Sequence, residues 1–182
     1  MNATFQSMRQ GLIDVIKESQ IKIGFSPNPV KLYYPPASLA AALGTGADGI
    51  PEAFAAFNAQ ADGLGEMQCT LEKNGMYCIT VPAEGAQYVR DHVPDPPFLA
   101  ELIGLLGQHR HDLTMEDVLA VFHKYAEHVE CREIQSDEFD MLVYFTDGQP
   151  DAYRYCFALE MGHITYHRFT AADYEALHIE DQ

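Results

Sequence analysis

Glu138-Phe-Asp-Met-Leu-Val-Tyr-Phe-Thr146, then Asp147-Gly-Gln-Pro-Asp151, then Tyr153-Arg-Tyr-Cys-Phe-Ala-Leu-Glu160-Met-Gly-His163-Ile-Thr-Tyr-His-Arg-Phe169 is the stretch that decides the fold class. The first part is an apolar run of strand length. The second is a cluster of turn formers. The third is two alternating segments on either side of Met161-Gly162, a tight hairpin candidate. Thr170 then opens a short helix, with Asp173 three positions on as a capping partner. Antiparallel strands followed by a helix, in a chain with helical patterns upstream, predict an α+β protein.

A second hairpin is expected over 66–81, around Asn74-Gly75, a pair that suits a two-residue type I′ turn. That loop would set Lys73 opposite Met76, Leu71 opposite Cys78 and Cys69 opposite Thr80. Met67, Cys69, Leu71, Met76 and Cys78 would then share a core face, with Cys69 and Cys78 as diagonal neighbours.

Helices fill the rest. Phe5, Met8, Leu12, Val15, Ile16, Ser19 and Ile23 form one stripe of a helix over about residues 2–22, stopped by Gly24. Four prolines between Phe25 and Pro36 keep that stretch extended, with Tyr33 and Tyr34 at a core edge. Short helices are expected over 37–43 and 52–60, on either side of a Gly-rich loop, and another over 82–92. Pro94-Asp-Pro-Pro97 interrupts the pattern. Asp95 is read as the N-cap and Pro96 as the first position of a helix burying Leu99, Leu102, Ile103 and Leu106. Thr114 and Asp117 cap the next helix. The stretches 25–36 and 93–97 are the only boundary candidates. The expectation is one α+β domain over residues 1–182, its antiparallel sheet built from the 66–81 hairpin and the 130–169 meander and covered by helices.

A chain of 182 residues buries roughly 70% of its extended surface, enough for a core without a disulfide or metal staple. It carries 27 acidic and 11 basic residues, a net charge of −16. Such a field repels phosphate backbones, which argues against nucleic-acid binding and favours solubility and a basic protein partner. Charges at Arg9, Asp14, Lys17 and Glu18 break up any leader-like apolar run, and no apolar stretch is long enough for a membrane span. A cytoplasmic location without membrane contact is expected. Cys69, Cys78, Cys131 and Cys156 contain no C-x-x-C pair and read as small buried hydrophobes in a reducing compartment.

The strongest chemical constellation comes from the C-terminal hairpin. With a Met161-Gly162 loop, Glu160 faces His163, Ala158 faces Thr165 and Cys156 faces His167. Cys156, Glu160, His163 and His167 then line one side. These are zinc ligand types, and a Cys–His pair can generate a thiolate. The bland reading is a polar sheet face with an ordinary Glu–His cross-strand pair. His109-Arg110-His111-Asp112 is a weaker metal candidate between two helices. His123 and His128 are five apart and do not share a helix face. Gly44-Thr-Gly-Ala-Asp-Gly49 lacks the Lys-Ser/Thr of a phosphate loop. Acidic pairs such as Asp137/Glu138/Asp140 and Asp147/Asp151 sit where turns want Asp anyway.

Asp151-Ala-Tyr-Arg-Tyr-Cys-Phe157 and Ile164-Thr-Tyr-His-Arg-Phe-Thr-Ala-Ala-Asp-Tyr174, with Lys31-Leu-Tyr-Tyr-Pro35, Ser38-Leu39 and Leu43-Gly44, resemble a family of bacterial proteins known only as a domain of unknown function. The resemblance spans most of the chain. It implies a small cytoplasmic α+β protein and supplies no catalytic residue. Pro35-Pro-Ala-Ser-Leu39 is also similar to SMI1/KNR4-type immunity and regulatory modules, although Gly44-Thr45-Gly46 stands where those have Asn-Gly-Gly. The function expected is an acidic binding or regulatory module without a cofactor. The alternative is a zinc-binding protein or Cys/His-dependent enzyme using the C-terminal face, and the oligomeric state is left open.

Overall fold

The computed structural model describes residues 2–108, 112–160 and 163–179. The α+β class stands, and all strand pairings are antiparallel. The expected hairpin and meander both form, but they belong to two sheets rather than one. The chain divides into two compact units, Met1–Asp95 and Pro96–Gln182. The division falls inside the proline-rich break at 93–97, where few backbone N–H groups are available to continue a helix.

In the first unit, α1 (Ala3–Ile23) opens on Asn2, whose Oδ1 accepts from the Phe5 N–H at 2.8 Å. It buries Phe5, Met8, Leu12 and Ile16. Full burial of Leu12 or Ile16 stabilises by about 1.5–3 kcal/mol each. Ile13 is buried too, whereas Val15 and Ile23 of the expected stripe face solvent. Lys17 is only 4% exposed. A charge so placed needs a partner, and Asp95 supplies it, Oδ1 to Nζ at 3.1 Å. Asp95 is therefore not the N-cap expected. That position falls to Pro96, without a side-chain cap, and the helix begins at Pro97.

The extended stretch becomes β1 (Val30–Tyr34), followed by α2 (Pro36–Leu43), a 3-10 turn at Ala47–Gly49 and α3 (Ile50–Asn58). Next come β2 (Gln68–Leu71), β3 (Tyr77–Val81) and α4 (Ala83–His92), with strand order β1-β3-β2. The β2–β3 register differs by one from expectation: Cys69 faces Ile79 and Leu71 faces Tyr77. The loop has three residues, not two. Glu72 and Met76 form the closing pair, with Glu72 N–H to Met76 O at 2.8 Å and Gly75 N–H to Glu72 O at 3.0 Å. Gly75 sits at φ 82°, and Asn74 Oδ1 accepts from Met76 N–H at 3.0 Å. This is the three-residue hairpin that ends on a left-handed glycine.

One extra loop residue exchanges the faces. Tyr77, Ile79 and Val81 turn to the core with Val30, Leu32, Tyr34 and Cys69. Cys78 lies on the other face, so it and Cys69 are not diagonal neighbours. Asn58, at the end of α3, closes the start of β2. Its Oδ1 accepts from Met67 N–H at 3.0 Å and its Nδ2 donates to Met67 O at 3.1 Å, imitating a strand partner. At Gly85, on α4, a Cβ would run into the Leu64 carbonyl oxygen, so only glycine lets loop and helix pack this closely.

The second unit runs α5 (Pro97–Leu106), α6 (Met115–Tyr125), β4 (Val129–Glu133), β5 (Met141–Phe145), β6 (Arg154–Glu160), β7 (His163–Phe169) and α7 (Ala171–Ala176). The Thr114–Asp117 capping box forms as expected. Thr170 caps α7 by accepting from Asp173 N–H at 3.1 Å. The sheet order is β4-β5-β6-β7, with β4 a strand beyond the three named individually from sequence. The β6–β7 register is the expected one, with Cys156 opposite His167 and Glu160 opposite His163. Met161 and Gly162 themselves lie outside the described residues.

Both faces of this sheet are covered. On one, Phe98, Phe122, Phe145, Tyr155 and Phe157 form a buried aromatic cluster, with Phe98–Phe122 centroids 4.8 Å apart and Phe98–Phe145 4.9 Å, both edge-on. Such pairs add about 0.5–1.5 kcal/mol beyond area burial. On the other face, Cys156 and Leu142 pack with Ile134, Tyr174 and Ile179.

Candidate functional site

Alternation along β6 and β7 brings Cys156, Glu160, His163 and His167 to one sheet face, as the sequence predicts. Cys156 is fully buried beneath Tyr174 and Ile179. The His167 ring rests on Phe169, centroids 4.4 Å apart, while Glu160 and His163 are exposed at the hairpin end. Among the described residues, no three His, Cys, Asp or Glu side chains converge to hold a metal ion. His109, Arg110 and His111 lie outside the described residues. His123 and His128 are both exposed.

The sequence reading missed a polar constellation at the start of β6. Asp151 Oδ1 accepts from Tyr153 N–H at 3.1 Å, and its Oδ2 accepts from the Tyr155 hydroxyl at 2.7 Å. Arg168 sits directly across the ladder from Tyr155. Its guanidinium lies 4.3 Å from the Tyr153 ring centroid and reaches the Tyr155 phenol. The spacing Asp151-x-Tyr153-x-Tyr155, alternate positions leading into β6, is the available signal. Burial and the Asp151 charge push the Tyr155 phenol well above the usual tyrosine range, with Arg168 opposing. A phenol kept protonated donates and does not ionise, so this group locks the start of β6 rather than supplying a base.

Charge is distributed unevenly at the surface. Several basic side chains are engaged locally: Lys22 with Glu18 at 2.7 Å, Arg90 with Asp91 at 2.9 Å, and Lys124 with Glu101 at 2.7 Å. Arg154 lies 3.8 Å above the Tyr144 ring. The Lys124 ammonium and the Tyr125 hydroxyl hold the Glu101 carboxyl below its ordinary range. Around β4, by contrast, Glu127, Glu130, Glu133, Asp137 and Glu138 are all exposed within a dozen residues. Burial and the Glu130 charge raise the half-buried Cys131 thiol. β4 is an edge strand, so this acidic run flanks an open sheet margin. In the first unit, a shallow depression of about 570 Å³ lies over the α3–β2 connection, lined by Asn58, Asp62, Glu66 and small residues. The Asn58 amide there is already committed to Met67.

No helix among the described residues is long and apolar enough to cross a membrane. No curated protein and no solved structure matches the chain. A family model described as a domain of unknown function from E. rectale, a bacterium, matches residues 5–178. The match runs from the first turn of α1 past the end of α7, taking in both sheets and the Asp151–Tyr155–Arg168 lock. The chain thus belongs to this bacterial family of unknown function, DUF3877.

Proposed function

We propose that the protein is a cytoplasmic acidic binding or regulatory module whose partner is a basic protein. The observation that carries this reading is the acidic margin of the second sheet. Glu127, Glu130, Glu133, Asp137 and Glu138 face solvent around an edge strand, in a chain whose net charge is −16. A concentrated negative field accelerates encounter with a basic surface and disfavours acidic or nucleic-acid partners. The cytoplasmic assignment is supported by four cysteines standing as free thiols, which suits a reducing compartment.

Capture with the tagged full chain from host lysate, followed by titration of the purified partner across ionic strength, tests the reading. The expected partner binds stoichiometrically, and its affinity falls steeply as salt shortens the Debye length to about 3 Å near 1 M. Exchanging Glu127, Asp137 and Glu138 for lysine should weaken it further without changing the melting temperature. A partner held equally well at high salt and by the lysine variant would overturn the proposal. Zinc bound at one equivalent, with no protein partner, would move the function to the Cys156/His167 face.

A further inference from the structure

We infer that β4 is a docking strand that takes an extended basic segment of the partner protein as an added fifth strand of the second sheet. The inference rests on the acidic-module reading and assigns it a surface, a binding mode and a recognition pattern.

The argument starts from hydrogen-bond parity. Thr146 N–H donates to His128 O and Ile134 N–H donates to Asp140 O, both at 3.0 Å, bracketing the β4–β5 ladder. In an antiparallel pair the groups of alternate residues point to the partner and away from it. His128, Glu130, Arg132 and Ile134 therefore pair with β5. Val129, Cys131 and Glu133 direct their N–H and C=O groups out of the sheet. Among the described residues nothing accepts from or donates to those six groups. A margin of this kind is a ready template for an incoming strand.

The other margins are guarded differently. β1 is bracketed by Pro29 and Pro35, which cannot extend a ladder. The start of β2 is closed by the Asn58 amide. β7 carries Arg168 and no acidic residue between His163 and Phe169, which does not favour a basic strand there. β4 has neither proline nor clamp. Its protection is negative charge, which turns away acidic strands and admits a basic one, so the feature that blocks indiscriminate pairing also selects the partner.

The pattern on β4 specifies the ligand. Glu130 and Glu133 are exposed, three apart and on opposite faces, whereas Val129 and Cys131 are half-buried. The added strand should carry Lys or Arg at two positions three apart, opposite Glu130 and Glu133. Apolar or β-branched residues should stand opposite Val129 and Cys131.

The test uses the full chain and a fluorescently labelled synthetic peptide of valine and threonine with two lysines three apart. Two further versions are N-methylated on alternate amides, one set per strand edge. The parent peptide should bind and slow amide exchange at Val129, Cys131 and Glu133. One methylated version should bind about tenfold more weakly, as loss of one to two net hydrogen bonds implies, while the other matches the parent. E130K/E133K should weaken the parent by at least as much. These residues are exposed, and an unchanged melting curve verifies the variant. Equal binding of both methylated peptides, with salt-sensitive affinity intact, would overturn strand addition and leave the acidic-module reading standing. Binding unaffected by E130K/E133K would overturn the location. If neither the peptides nor any basic partner from lysate binds, both proposals fall.

Discussion

The β2–β3 hairpin turns through three residues and the β6–β7 hairpin through two, and this difference decides what each sheet buries. In β6–β7 the closing pair Glu160–His163 leaves Tyr155 and Phe157 on the aromatic face and Cys156 on the other, each face with its own cover. In β2–β3 the third loop residue turns Ile79 and Val81 to the face that Cys69 shares, while Leu71, on that same face, stays 62% exposed near the loop. A hairpin loop is thus a parity switch. Its length matters more to the core than the identity of its central pair.

The largest expected effects probe that parity directly. Phe157→Ala should cost about 3–5 kcal/mol and Ile79→Ala about 2–5 kcal/mol, because each empties a fully buried position. Leu71→Ala should stay within about 0.5 kcal/mol, as surface changes do. Urea unfolding of the three variants measures the contrast. If Ile79→Ala costs as little as Leu71→Ala, the β2–β3 hairpin pairs through a two-residue loop and the assigned faces are wrong.

Tyr155→Phe comes next and tests what anchors the second hairpin. Removing the hydroxyl leaves Asp151 Oδ2 without its 2.7 Å donor, at a cost of about 1–3 kcal/mol. The pH dependence separates this from a packing change. The folded phenol is pushed well above its ordinary value, whereas the unfolded one ionises near its ordinary pKa of about 10. Below that value both states hold the proton and the contribution is fully present. As pH rises past it, the unfolded state loses the proton first and stability declines. The wild type should lose stability more steeply than Tyr155→Phe above about pH 10. Parallel curves would mean that Tyr155 titrates normally and the lock does not exist.

A smaller effect is expected in the first hairpin's loop. Gly75 is held at φ 82°, and a side chain there costs about 1–2 kcal/mol. Gly75→Ala should lower stability by that amount, while Lys73→Ala, in the same loop, should be nearly neutral. Equal effects would show that the left-handed position is not at Gly75.

The elements most legible in the sequence are those set by local chemistry. The Thr114–Asp117 box, the Thr170 cap and the β6–β7 register depend on residues within a few positions of one another. The rest depended on distant partners. That Asp95 leaves the N-cap role follows from Lys17, 78 positions away. β1 became a strand because β3 offered it an edge, a partner nearly fifty positions away. The Asp151–Tyr155–Arg168 lock had a readable period-two spacing leading into β6. Its arginine comes from the next strand, which becomes visible only after the hairpin is paired. At the Cys156/His167 face both the polar pattern and the Thr170-capped helix were legible; what the spacing did not show is that Tyr174 of that helix packs over Cys156.

Two thiols, Cys69 and Cys156, give the finest gauge of the two hairpins. Cys69 lies half-buried on the core side of β2, and burial, then the nearby Cys78, lifts its pKa from 9.0 to about 11. Cys156, in the second hairpin, is sealed. The thiolate is the reactive species. At pH 8 a rise of two units therefore leaves Cys69 about a hundredfold less thiolate than an unperturbed thiol. Iodoacetamide labelling followed by mass spectrometry should find Cys69 slow but steepening tenfold per pH unit. Cys156 should instead react only at the rate of local or global opening, with little dependence on pH beyond it. Those two regimes differ in kind, since one is limited by proton loss and the other by exposure. Rapid Cys69 labelling at neutral pH would mean that the thiol is neither half-buried nor raised in pKa. Rapid Cys156 labelling would mean that α7 does not cover the sheet, and would reopen the His167 face to chemistry.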